Sequence, residues 1–357
     1  MRNTGEGMTE QTSSRKLEHL RLCTESDVSY GDAGFDNVRL VHNAVPECDL
    51  SDITTDATFL GHQFSAPLFI AAMTGGHPDT ARVNAVLAEV AEAKGFALGV
   101  GSQRAALENP AMEDSFRIVR DKAPHAFIAG NIGAAQLVKY GLDWAEKAVE
   151  MIDADALCIH LNFLQELIQP EGDYAATGVL DAVRTTASEL KVPVIVKETG
   201  SGIAMEAAKS LFNCGISALD VGGYGGTSWA KIEALRASDE SHQTLGEHFL
   251  EWGIPTTVSV FEVAQVKCGP VVATGGLKSG LDIAKAIALG ADMGGMALSL
   301  LPAAMAGYEA LSDKTDSVVN ELRSAMFLTG AKNTAELAKV RYYLTGFVKD
   351  MIGKYHE

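Results

Sequence analysis

The chain has 357 residues, 47% of them apolar, and a formal charge of −17. That apolar fraction can fill a sizeable core and excludes global disorder, while the acidic balance argues against non-specific binding to nucleic acid or anionic membranes. An anionic ligand of such a chain must be met by cations gathered at its site, because the overall field repels it.

The N-terminal segment MRNTGEGMTEQTSSRKLEH has no apolar run of the signal-peptide kind, and no stretch of about 18 apolar residues follows it. A soluble, cytoplasmic protein is expected. Arg15, Lys16 and His19 form a basic cluster in this segment. They read either as a solvated arm or as a strap over a barrel mouth that holds a diphosphate, with Arg104 adding a two-pronged contact. The segment DLSDITTDATFLGHQFSAP predicts a short hairpin with Gly61-His62 at its turn.

From about residue 66 one pattern repeats. A short apolar run ends in Gly, Thr, Asn or a charge, and a helical segment of about 10–15 residues follows. The predicted strands are 66–74, 96–102, 125–131, 156–162, 192–198, 218–223, 270–276 and 293–300. Each is nearly continuously apolar, as strands buried on both faces of a parallel sheet must be. Between them, segments such as TARVNAVLAEVAEAKG, DWAEKAVEMIDA, GVLDAVRTTASELK and LDIAKAIALGA carry apolar residues at three- and four-residue spacing. VSVFEVAQVKCG predicts the sixth helix, after a polar excursion over 231–253.

Eight such repeats predict an α/β chain folded as a (β/α)8 TIM barrel in a single domain over 1–357: an arm and hairpin over 1–65, the barrel over 66–300, and covering helices over 301–357. A doubly wound sheet would show GxGxxG after its first strand, where this chain has MTGGHP. Cys23, Cys48, Cys158, Cys214 and Cys268 are scattered without zinc-type spacing and read as small hydrophobes.

Barrel active sites gather at the C-terminal strand ends, and here those ends are unusually polar. Two Gly-rich loops, GGYGGTS after the sixth strand and TGGLK after the seventh, suit backbone contacts to a phosphate, with Thr227 and Lys278 as added donors. Lys197 closes the apolar run VPVIVK. It either pairs with a carboxylate or stabilises negative charge on an electron-rich ring. His160 and Asn162 share one side of the fourth strand, with Gln165 and Glu166 in the following loop. Glu166 has the chemistry of an Mg2+ ligand. His160 suits a metal ligand, a proton carrier or a donor to phosphate, and Gln165 can orient or relay a proton without being a conventional base.

Taken together, the motifs RKLEH, AAMTGG, GVGSQR, GNIGAAQ, HLNFLQELIQPEGD, VIVKETGSGI, GGYGGTSWAKIE, TGGLKSGLDIAKAIALGAD and ELRSAMFLTG resemble the type II isopentenyl diphosphate isomerases, in the family's order and over nearly the whole chain. The resemblance implies a homo-oligomer, a tetramer or octamer, that uses reduced FMN with NADPH or another reductant. It also implies Mg2+ on the substrate diphosphate and a redox-neutral conversion of isopentenyl to dimethylallyl diphosphate. Substrate would be held by Arg15, Lys16, His19, Ser102, Gln103, Arg104, His160, Asn162 and Gln165. FMN would contact Ala72, Met73, Thr74, Ser102, Asn131, Lys197, Thr227, Gly275, Gly276, Lys278, Ala297 and Leu298. Glu166 would take the metal, and Gln165, Lys197 and Glu233 would serve catalysis. Lys278 stands where the family often has Arg, a point charge in place of a fork.

The nearest rival is an FMN-dependent 2-hydroxy acid oxidase or dehydrogenase, which needs a His base beside an Arg after the sixth strand. GGYGGTSWAKIE offers neither. An inosine monophosphate dehydrogenase would need a catalytic Cys there. A non-catalytic flavin-binding scaffold would have no use for the HLNFLQE cluster, since polar groups converging inside a barrel are costly without a ligand.

Overall fold

A computed structural model describes residues 5–354; the first four residues, part of the segment read as lacking a signal peptide, and the last three lie outside them. Eight strands close into a parallel barrel: β1 (Leu68–Ile70), β2 (Ala97–Gly99), β3 (Ile128–Gly133), β4 (Ala156–Leu161), β5 (Val194–Glu198), β6 (Ala218–Asp220), β7 (Val271–Ala273) and β8 (Met293–Met296). Seven fall within the predicted segments, and β3 runs two residues past its predicted end at 131. The last is shorter than expected: Ala297–Leu300 leaves the sheet and leads into the helix Leu301–Ala306.

Alternation along each strand divides the core in two. One set of side chains faces the covering helices; the other, including Phe69, Ala129, Cys158, Ile195, Val272 and Met293, fills the barrel interior. The base of that interior is plugged by the predicted hairpin, whose Phe59 and Phe64 pack edge-on against Phe69 and Phe127 at ring separations of 5.7–6.5 Å. Each such buried ring contributes about 2–3 kcal/mol. The turn is one residue earlier than expected. Leu60 and Gly61, with φ of 48° and 82°, make a two-residue turn of the mirror-image type that matches strand twist, and His62 already pairs with Phe59.

The C-terminal segment is not helical throughout. The helices Tyr308–Thr329 and Thr334–Leu337 are followed by a strand, Tyr342–Leu344, which pairs antiparallel with Val38–Leu40. The final helix, Gly346–Lys354, then places Val348 and Ile352 against Val258 of the helix Thr256–Val266. Among the described residues no helix is long and apolar enough to cross a membrane.

Candidate active site

The C-terminal ends of the eight strands and the helix Gly5–Glu25 surround a cavity of about 390 Å³, a size suited to a cofactor or drug-sized ligand. Its walls differ in chemistry.

One wall is backbone. The loops after β6 and β7 are sewn to each other and to the N-terminal segment: Gly223 N donates to Thr274 O (2.8 Å), Tyr30 N to Gly226 O (3.1 Å), and Thr256 Oγ1 to Gly275 O (2.6 Å). A Cβ on Gly226 would collide with the backbone of Gly276, and one on Gly276 (φ +78°) with the carbonyl of Gly225. Only glycine permits this approach. Thr227, Gly275, Gly276, Lys278, Ala297 and Leu298 line this side, with Ala72, Met73, Thr74, Ser102, Asn131 and Lys197 continuing the surface. Every residue expected to hold FMN therefore faces one cavity. The buried Thr74 Oγ1 has no hydrogen-bond partner among the described residues, and Lys197 Nζ donates to the carbonyl of Glu198 (2.7 Å). A peptide-lined cradle, an unpaired hydroxyl and an ammonium at the strand ends fit a phosphate-bearing, electron-rich ring system.

The opposite wall is cationic. Arg15, Lys16 and His19, from the helix Gly5–Glu25, lie over the cavity with Arg104, so this segment covers the barrel mouth and is not a solvated arm. Burial, with Arg15 and Arg104 alongside, pushes the Lys16 ammonium down to about 8. Such crowding in an acidic protein is relieved by an anion. Glu166 sits in this cluster, 5% exposed; its Oε1 accepts from Asn162 Nδ2 (3.0 Å) and its Oε2 from Asp173 N (2.8 Å). No group of three His, Cys, Asp or Glu side chains gathers as a metal site among the described residues. One oriented carboxylate fits Mg2+, which takes most of its ligands from water and phosphate.

His160 is buried, and desolvation, then Lys197, Lys16 and Arg104, drives it well below its ordinary pKa. Asn131 Nδ2 donates to Val100 O (3.0 Å), leaving its Oδ1 to accept from His160 Nδ1 (2.8 Å). The imidazole is thus a neutral ring with its other nitrogen uncommitted by this bond.

Between the walls stands Gln165. Its Oε1 accepts from Asn162 Nδ2 (3.2 Å) and its Nε2 donates to Glu233 Oε1 (2.7 Å). Glu233 is wholly buried behind the cavity wall, with His19 Nε2 3.0 Å away and Arg236 on its other oxygen. Burial alone would raise its carboxyl; the partners His19, Arg236 and Gln165 outweigh this and hold it at about 2. His19, lowered by burial more than Glu233 raises it, stacks edge-on against Trp229 at 5.1 Å.

Gln103 does not reach the cavity. It is fully buried, its Nε2 donating to Ala148 O (2.8 Å) and its Oε1 accepting from Asn131 N (2.8 Å). It braces the β2 and β3 ends from behind instead of meeting a ligand. Sequence reasoning also passed over Gln136 and Gln169, which line the cavity with buried, unpartnered amide nitrogens. Glu198 was missed as well: it gathers the backbone N–H groups of Thr199 (2.6 Å), Gly200 (2.6 Å) and Ser201, yet burial raises it to about 7. All three lie in motifs quoted for the resemblance, so the signal was present without a role attached.

A family model described as FMN-dependent dehydrogenase matches residues 165–343. Curated relatives match nearly end to end. Proteins named isopentenyl-diphosphate delta-isomerase are 54% identical in Methanoregula boonei (96% of each chain), 49% in Halobacterium salinarum (96% of each) and 47% in Archaeoglobus fulgidus (96% of this chain, 98% of that one). Among solved structures, mandelate oxidase with (S)-2-phenylpropionate aligns at a TM-score of 0.63 and 17% identity, covering 95% of this chain and 98% of that one. A Pediococcus acidilactici lactate oxidase aligns at 0.66 and 14%, covering 97% and 96%. Those two likenesses establish the barrel fold alone.

Proposed function

The chain belongs to the type II isopentenyl diphosphate isomerase family, and from that premise we propose that it interconverts isopentenyl and dimethylallyl diphosphate with reduced FMN and Mg2+. One proton is added at the terminal methylene carbon and another leaves the CH2 beside the branched carbon. The double bond shifts, and no electrons are gained or lost. The observation that carries this reading is a cationic wall built around one carboxylate, across from a peptide cradle, with Gln165 on the cavity and bonded to Glu233 behind it.

FMN, when bound and reduced, supplies the acid–base group at its N5. The Gly275–Gly276 and Thr227 loops would hold its phosphate, Lys197 would face its ring as a fixed positive charge, and Ala72, Met73, Thr74, Ser102, Asn131, Lys278, Ala297 and Leu298 would frame it. Arg15, Lys16, Ser102 and Arg104 would clamp the diphosphate, and Glu166 would hold Mg2+ against it. His160, neutral in the free protein, gains a reason to take up a proton once phosphate oxygens arrive. Asn162 keeps Gln165 and Glu166 in their orientations. Gln165 can pass a proton between the cavity and Glu233, which its low pKa keeps ionised. NADPH as the reductant, a tetrameric or octameric assembly, a single domain over 1–357 and a cytoplasmic location belong to the same proposal.

The test is anaerobic isomerisation with FMN, Mg2+ and NADPH, against the same mixture without reductant or with a chelator in place of Mg2+. The reading expects turnover only in the complete mixture, without NADPH consumed per product. Flavin reduction by lactate or another 2-hydroxy acid, with no isomerisation, would overturn it in favour of the oxidase chemistry.

A further inference from the structure

Arg236 sits on the outer face of the site, on the helix Trp229–Arg236, and its side chain is only 10% exposed. Its guanidinium meets three carboxylates from three parts of the chain. Nε donates to Glu18 Oε2 on the N-terminal helix (2.9 Å), Nη2 to Glu171 Oε1 in the loop that follows β4 (3.2 Å), and Nη1 to Glu233 Oε2. The same Glu171 Oε1 also accepts from Arg15 Nη1 at 3.4 Å. Only a planar fork with donors on separate edges can satisfy this set; an ammonium is a single point charge.

We propose that Arg236 is a positioning residue for both halves of the site, a role that rests on the reading above. Through Glu233 it fixes the acceptor to which the Gln165 amide is bonded. Glu233 is fully buried, and without Arg236 it would be left with a neutral His19 and an amide, too little to hold a buried charge. Through Glu171 and Glu18 it governs the diphosphate clamp. Arg236 shares the Glu171 oxygen with Arg15 and so keeps Arg15 loosely paired, free to turn to a phosphate. Its bond to Glu18 holds down the helix that carries Arg15, Lys16 and His19. Removing the guanidinium would release that helix and leave Glu171 to capture Arg15.

The experiment uses the FMN-loaded full chain and four readouts: kcat, KM for isopentenyl diphosphate, calorimetric affinity for inorganic pyrophosphate with Mg2+, and the rate of tryptic cleavage after Arg15 and Lys16. Arg236→Met is expected to lower kcat at least tenfold, weaken pyrophosphate about tenfold and speed cleavage. Arg236→Lys should recover part of kcat and little of the affinity. Glu18→Gln, which removes the charge from one part-buried contact, should raise KM and the pyrophosphate Kd about threefold and speed cleavage, with kcat retained. Equal behaviour of the Lys and Met variants, or pyrophosphate affinity within twofold of wild type in Arg236→Met, would overturn the proposal. If Arg236→Met does not retain FMN, Glu18→Gln decides: unchanged pyrophosphate binding and unchanged cleavage refute the clamp. Pyrophosphate binding and tryptic cleavage need no turnover, so a wild-type protein that binds pyrophosphate but does not isomerise would sink the isomerase reading while these two readouts still decide the clamp.

Discussion

Replacing Gln103 by Leu tests the assignment of that side chain to the scaffold. The amide is fully buried and spans two backbone groups, Ala148 O and Asn131 N, each at 2.8 Å. Leucine fills similar space but strands both partners. An unsatisfied buried backbone group costs about 1–3 kcal/mol, and the apolar gain of leucine returns about 1 kcal/mol. The net loss should be about 3 kcal/mol, a factor on the order of 100 in the unfolding equilibrium. Urea unfolding at fixed excess FMN reads this as a lower midpoint at unchanged slope. The effect on KM for the diphosphate should stay small, since Arg15, Lys16 and Arg104 remain. A variant within 1 kcal/mol of wild type in stability but with KM raised tenfold would return Gln103 to the ligand and refute the brace.

Three further outcomes follow from the geometry. Gln165→Ala should leave FMN bound, by its visible spectrum, while turnover falls about 100-fold or more; unchanged turnover removes Gln165 from the proton path. Gly276→Ala should abolish FMN retention on gel filtration, because the new Cβ meets the Gly225 carbonyl at a φ of +78°. The Lys16 ammonium, lowered to about 8, is charged below that pH and neutral above it. Attraction to the diphosphate is therefore present at low pH and lost as pH rises, so kcat/KM should fall above about pH 8. Lys16→Arg, always charged, should move that limb beyond the accessible range, and a limb left in place would clear Lys16 of causing it.

Much of this architecture was legible because barrel strands advertise themselves: a run such as ALCIHL must be apolar on both faces until it reaches the polar rim, and the rim residues of eight runs must converge. That logic located His160, Asn162, Lys197 and the glycine loops. It failed for Gln103, because parity along a strand does not say whether a side chain just past the strand end turns inward or back between its neighbours. Gln103 turns back to fill the needs of β3 and the helix behind it. Arg236 was invisible for a related reason: its three partners lie 3, 65 and 218 positions away, and a charged residue at a helix end reads as solvated unless the loops that cover it are known. The strand Tyr342–Leu344 is three residues long, and it pairs with a segment some 300 residues upstream, so no local pattern could separate it from the helices on either side.

That last pairing has a consequence for the order in which the protein can be made. Residues 33–37 back the glycine loops: a Cβ on Gly225 would strike Ala33, and Gly34 lies against Val348. The strand that follows them, Val38–Leu40, is paired to Tyr342–Leu344, and Thr345 N donates to Asn37 O (2.9 Å). The eight barrel strands are complete by Met296, so the barrel can close while the clasp that steadies the glycine loops is still missing. Support for the glycine wall of the cavity therefore comes from the segment 342–348, well past the last barrel strand.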